Sequence, residues 1–145
     1  MMNLIDQLKR HVAFCACVYK TSSNERLIGY GHDINKKPLP DYLQRNFDYQ
    51  PMTEDEALNL LASDILDIYD PLIAYVDFTK WPIQRQRALL ALLYMIGFWD
   101  FGRDRVLVHA LNYGDFKLAA ECVETISKKG IYAEIAEQLE NGGDE

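Results

Sequence analysis

Ile28-Gly29-Tyr30-Gly31-His32 places two glycines one residue apart inside an otherwise strand-like stretch. That spacing points to a backbone that approaches a neighbour closely or takes dihedrals that side chains disfavour. Upstream, Cys15–Lys20 and Arg26–His32 flank Thr21-Ser22-Ser23-Asn24. Ser, Thr and Asn hydrogen-bond their own backbone and tolerate tight bends, so the pattern predicts two short strands joined by a turn. Further upstream, Leu4, Ile5 and Leu8 recur at helical spacing and predict a short helix from about Leu4 to His11. Downstream, Pro38, Pro40 and Pro51 punctuate a loop-rich region with mixed polar and aromatic residues.

The next segment opens with Thr53 and, three residues later, Glu56. This is a capping-box pattern, and Glu54 and Asp55 suit the positive end of a helix dipole. Ala57, Leu61, Ile65, Ile68, Leu72 and Val76 then run down one helical face, with Pro71 predicting a kink or an end near Asp70. Gln84–Gly97 is apolar almost all round, as a buried helix requires. Shorter amphipathic helices are expected over 103–113, 115–126 and 132–140, with Gly102, Gly114, Gly130 and Gly142 as punctuation and an acidic tail over Glu140–Glu145. The pattern predicts an α+β fold, mostly helical: a hairpin lobe over about 13–52, a connecting helix over 53–76, and a helical lobe over 77–142 packed with the N-terminal helix.

The 145 residues suit one domain, and a hydrophobic content of 49% excludes a disordered chain. No apolar run is long enough to span a bilayer, and the charged start MMNLIDQLKRH is unlike a leader peptide. Three cysteines, Cys15, Cys17 and Cys122, are too few for a disulfide framework, so a cytoplasmic location is expected. With 15 basic against 22 acidic side chains, the net charge of −7 argues against a nucleic-acid partner, and no membrane partner is expected.

Four blocks in this order resemble the phage-type lysozymes, the T-even endolysin-like muramidases. They are Leu4-Ile5-x-x-Leu8-Lys9-x-His11 leading to Val18-Tyr19-Lys20, then Ile28-Gly29-Tyr30-Gly31-His32, then Thr53-Glu54-Asp55-Glu56-Ala57. The last runs from Ala88-Leu89-Leu90 to Gly97 and on through Leu111-Asn112-x-Gly114-Asp115-Phe116-x-x-Ala119-Ala120. The resemblance covers about residues 4–142. It implies a single lysozyme-like domain over 1–145 and cleavage of the bond between N-acetylmuramic acid and N-acetylglucosamine in peptidoglycan.

That chemistry needs one carboxyl group to protonate the leaving oxygen and another to activate water or hold the oxocarbenium charge. The family places a Glu immediately after the position of His11, an Asp nine residues later and a Thr six further on. Here those positions hold Val12, Thr21 and Leu27, with the spacing intact. Val has no proton to donate, Leu cannot bond a water, and a Thr hydroxyl is neither a base nor an anion at neutral pH. The resemblance also puts Tyr132 where relatives carry a cleft Arg, and Met95 where they carry an amide that can bond sugar. Losing the Arg together with its Glu partner is physically coherent, since a cleft charge without its partner is poorly compensated. His32 and Asp64 take the positions of a pair that ties the hairpin to the connecting helix, and are read as scaffold. Cell-wall-cleaving relatives are commonly basic, so the −7 weighs the same way.

The expectation is therefore a catalytically degenerate lysozyme-like module of phage or prophage origin. Weak peptidoglycan contact, or a protein partner in a phage-derived assembly, would account for its retention. The competing reading is an active muramidase using relocated groups: Glu25, Asp33 and Asp100, or His11 as a general acid. Solvated turn carboxylates are the plainer account of the three acids, and packing or capping that of His11. Cys15 and Cys17 have no CxxC or His pair beside them and are read as ordinary thiols, with no metal or cofactor expected. His109 is expected to be partly buried on its helix. Tyr42, Phe47 and Tyr49 suggest either a sugar-stacking platform or, more plainly, loop packing. In Phe98-Trp99-Asp100-Phe101, an exposed aromatic would form a protein-binding hot spot.

Overall fold

The computed structural model describes residues 4–143; the acidic pair Asp144 and Glu145 at the end of the expected tail, and the first three residues of the amphipathic start, lie outside these. The fold is α+β and mostly helical. The described chain divides into two compact units at Asp64/Ile65.

In the first unit, α1 spans Leu4–His11 and buries Gln7 and Leu8. Three antiparallel strands follow in the order β1 (Cys15–Lys20), β2 (Arg26–Gly29), β3 (His32–Asp33). The expected strand over Arg26–His32 is thus two strands. Gly29 (φ 66°) and Gly31 (φ 86°) lie in the left-handed region, and this reverses the chain at Tyr30-Gly31. A Cβ on Gly29 would stand 3.3 Å from the Ala57 Cβ and 3.4 Å from the Met52 Sδ, so this glycine also lets β2 approach the following helix. The register pairs Cys15 with Gly29 but Tyr19 with Leu27, which leaves two extra residues bulged in β1. Leu8, Ile28, Tyr30, Leu43, Phe47, Met52 and Leu61 form the core of this unit.

Helix α2 spans Glu54–Ile73 and begins as the capping box requires. The Glu56 N–H donates to Thr53 Oγ1 (3.1 Å) and the Thr53 N–H to Glu56 Oε1 (2.9 Å). The helix passes Pro71 and ends two residues beyond it, rather than at Asp70. Leu72, fully buried, anchors that last turn.

In the second unit, α3 (Ile83–Arg103), α4 (Arg105–Asn112), α5 (Phe116–Ile126) and α6 (Gly130–Asn141) pack as a helical cluster. Ala88–Leu93 are all buried in α3, as the uncharged run demands. Gly97 interrupts α3 with φ 79° and ψ 168°, after which helix resumes to Arg103. Asp104 and Asp115 cap α4 and α5, accepting from the Leu107 and Leu118 N–H groups. Arg85 on α3 donates through Nε to the Leu139 carbonyl (2.7 Å) and through Nη2 to that of Glu140 (3.0 Å) at the end of α6, its guanidinium 3.8 Å above the Phe116 ring. The segment read as an acidic tail thus begins inside α6, because its terminal carbonyls are satisfied there.

Candidate functional site

The three positions to which the resemblance assigns the family's chemistry, Val12, Thr21 and Leu27, all lie in the first unit. Val12 directly follows α1, half-buried, its N–H donating to the Leu8 carbonyl (2.8 Å) and so extending the helical bonding by one residue. Thr21 organises the turn after β1. Its hydroxyl accepts from the N–H groups of Ser23 (3.3 Å) and Glu25 (3.2 Å) and donates to Glu25 Oε1 (3.3 Å). The Thr21 backbone N–H donates to the Glu25 carbonyl (2.9 Å), which closes the turn. Leu27 sits half-buried in β2, opposite Tyr19 on one side and Asp33 on the other. The side chains at the three positions are therefore an alkyl group, a hydroxyl committed to a turn, and another alkyl group.

The acids considered as substitutes have local partners. Glu25 is half-buried and takes the Thr21 hydroxyl bond. Asp33 Oδ1 accepts from the N–H groups of Asn35 (2.9 Å) and Lys36 (3.3 Å), which is an Asx turn. Asp100, in the second unit, is exposed and 3.9 Å from Arg103 Nη1. His11 is exposed in the last turn of α1. The structure thus joins Glu25 to Thr21 and sets Asp33 opposite Leu27.

The His32–Asp64 pair is formed. His32 is 3% exposed; its Nδ1 lies 2.7 Å from Asp64 Oδ2 and its Nε2 lies 2.7 Å from the Lys37 carbonyl. Both ring nitrogens face acceptors, so only the imidazolium satisfies both. Burial opposes that charge, but the Asp64 carboxylate and the Lys37 carbonyl outweigh it and hold the His32 pKa above the ordinary histidine value. Lys37 Nζ, 3.3 Å from Asp64 Oδ1, adds a second cation to the carboxylate. Lys37 carries no signal in the sequence, because its role depends on where the loop after β3 turns.

A second ionic anchor was equally invisible. Arg45 makes a two-pronged contact with Glu56, with both N–O distances 2.7 Å, and donates to the carbonyls of Gln50 (2.9 Å) and Pro51 (3.0 Å). The Arg45 guanidinium, with the Thr53 N–H, holds the Glu56 carboxyl down to about 2.

In the second unit, Met95 is half-buried on α3 and Tyr132 half-buried near the start of α6, where burial pushes its phenol up. His109 is exposed, with its ring 4.4 Å from that of Tyr113, which corrects the partly buried expectation. It sits on the outer face of α4, whose inner face is filled by Leu107, Ala110 and Leu111. The aromatic clusters divide in the same way. Phe101 is buried and Phe98 stacks on Tyr75, whereas Trp99 is 75% exposed with Arg103 over its ring. Phe47 is core, but Tyr42 (69%) and Tyr49 (85%) face solvent, so loop packing does not account for them. Cys17 Sγ donates to the Phe47 carbonyl (3.4 Å), and all three cysteines are free thiols. Among the described residues no three His, Cys, Asp or Glu side chains converge as a metal site, and no helix is long and apolar enough to cross a membrane.

Comparison with known proteins extends this picture. The muramidase domain of SpmX from Asticaccaulis excentricus shares the fold, with a TM-score of 0.71 at 18% identity over 94% of this chain and 92% of that one. No curated protein matches the chain. The family described as phage lysozyme matches residues 9–138, and with nearly the whole length so covered, the chain belongs to the phage lysozyme family.

Proposed function

We propose that this protein is a lysozyme-like module without muramidase activity, retained for binding or as a structural part of a phage- or prophage-derived assembly. The observation that carries the reading is the chemistry of Val12, Thr21 and Leu27. No group at these positions can protonate a leaving oxygen, activate water as a base or balance an oxocarbenium ion. Commitment of the Thr21 hydroxyl to its turn supports it, as do the nonpolar Met95 and the uncharged Tyr132 at the positions where the resemblance implies polar groups. The local engagement of Asp33 and Glu25 favours this reading over relocated catalysis. Weak contact with peptidoglycan fits the ancestry, and exposed Trp99 offers a protein partner an aromatic anchor.

Clearing of chloroform-treated Gram-negative cells by the purified protein tests the proposal. No clearing above buffer is expected; reproducible lysis would overturn it in favour of an active muramidase with relocated acids.

A further inference from the structure

Asn141-Gly142 is the single Asn-Gly pair in the sequence, and it closes α6. Such a pair is reactive, because glycine has no Cβ to hinder attack by its backbone nitrogen on the preceding carboxamide carbon. Every other asparagine in the chain is followed by a residue with a side chain.

The packing of α6 on α3 leaves room only for glycine there. Gly142 has a φ of −83°, so its dihedral alone excludes nothing. A Cβ, however, would collide with the Gln138 carbonyl oxygen and stand 2.8 Å from the Gln84 Cβ. Gln84 is tied to α6 by the bond from Gln138 Nε2 (3.0 Å). Close docking of the helix end thus keeps the reactive pair in the chain.

The same helix end restrains the reaction. The Gly142 N–H donates to the Gln138 carbonyl (2.9 Å), and Asn141 Nδ2 donates to Glu137 Oε2 (2.9 Å). Helical backbone at Asn141 directs the attacking nitrogen along the axis toward Gln138, away from its own carboxamide. Asn141 is exposed and Gly142 half-buried, so water reaches the pair. Opening it costs these two bonds. The Arg85 contacts fall one and two residues upstream, on the Leu139 and Glu140 carbonyls, and stay in place.

We propose that Asn141-Gly142 is a site of spontaneous chemical modification, gated by the last turn of α6. When the Gly142 N–H leaves the Gln138 carbonyl, hydroxide removes its proton and the nitrogen bonds to Asn141 Cγ. The Cγ–Nδ2 bond breaks, and the nitrogen departs as ammonia after taking a proton from water. The five-membered imide so formed adds one water. Opening at Cγ gives aspartate, and opening at the main-chain carbonyl gives an isoaspartyl linkage. The net change is one carboxamide plus one water to one carboxylate plus one ammonium ion, with no oxidation or reduction. The product carboxylate loses the bond to Glu137 and faces it as a like charge one turn away, at the negative end of the helix. Modification therefore weakens the turn that gates it and makes the net charge one unit more negative than −7.

The full chain, incubated at mildly alkaline pH both folded and in guanidinium chloride, then mapped by mass spectrometry with isoaspartate scored by fragmentation, tests the proposal. Asn141 should convert first, ahead of the exposed Asn24, Asn35 and Asn46. Conversion should be about tenfold slower in the folded chain than in denaturant, as two exposed hydrogen bonds imply. Glu137→Ala, which releases the carboxamide, should speed the folded chain about threefold and leave the rate in denaturant unchanged. Asn141→Gln should remove the acidic product, and Asn141→Asp should show less amide-exchange protection at Gly142 than the wild type. Absence of conversion in the folded chain while the denatured chain converts, equal rates in the two, or earlier conversion at another asparagine would each overturn the proposal.

Discussion

At Gly97 the backbone sits at φ 79° and ψ 168°, a conformation open almost only to glycine, yet nothing lies within 4 Å of where a Cβ would stand. Gly97→Ala is therefore a test of backbone strain without steric clash. It should destabilise the protein by about 1–3 kcal/mol in urea unfolding. Gly102 makes the contrast: it lies in helix with no positive φ, and a Cβ would meet only the Tyr75 ring at 3.4 Å. Gly102→Ala should stabilise by up to about 1 kcal/mol through reduced freedom of the unfolded chain. His32 yields a second prediction at this scale. Its folded pKa is raised, so its contribution is fully present below the unfolded value of about 6.5 and is lost as pH rises through the folded pKa. Stability measured from pH 6 upward should fall across that window. Asp64→Asn should remove the fall and cost about 1.5–3 kcal/mol at pH 6, the range for a hydrogen bond to a charged group.

The start of α2 is an element held by both local and distant groups. Thr53 and Glu56 close the capping box within one turn, and Arg45, eleven residues before Glu56, locks the same carboxylate. The capping box was legible, since its pattern lies within four consecutive residues. Arg45 was not, since loop closure rather than sequence proximity brings it there. The lowered Glu56 pKa sets the direction of the acid response. Its stabilisation is present above about 4.5 and is lost as pH falls toward about 2. Melting temperatures between pH 2 and 6 should show that loss in the wild type, and a smaller one in Arg45→Ala, which should also melt lower at pH 6. Element ends show the same division. Pro71 marks the neighbourhood of the α2 terminus, but burial of Leu72 carries helix past it. Gly97 marks a break in α3, but helix continues beyond, with Phe101 fully buried and Tyr75 against the Phe98 ring.

At the scale of the molecule, the proposal that Val12, Thr21 and Leu27 replace the family's catalytic groups leads us to expect that three side chains alone do not restore activity. In the triple variant Val12→Glu, Thr21→Asp, Leu27→Thr, the new Asp can accept the N–H groups of Ser23 and Glu25 that Thr21 now accepts. It would also face the Glu25 carboxylate, which lies 3.3 Å from the Thr21 hydroxyl, and like charge disfavours its ionised form. Met95 and Tyr132 remain, and a net charge of −7 in the wild type becomes more negative still, against an anionic wall. Little or no lysis of chloroform-treated cells is therefore expected from this variant, and strong clearing would show that the three positions alone limit activity.

Residue types and short-range spacing pointed to the helices, the first two strands, the capping box and the family, and they carry the proposal about Val12, Thr21 and Leu27. These are properties of single side chains or of neighbours within one turn, where propensity and hydrogen-bond reach act directly. Only the tertiary structure decided that Arg45 grips Glu56, that Lys37 completes the His32–Asp64 pair, and that Tyr42 and Tyr49 face solvent while Phe47 does not. Each of these depends on which segments close on one another. An aromatic or a cation looks the same in the sequence whether its loop turns it toward the core or away, and the burial that separates the two outcomes exists only once the chain has folded.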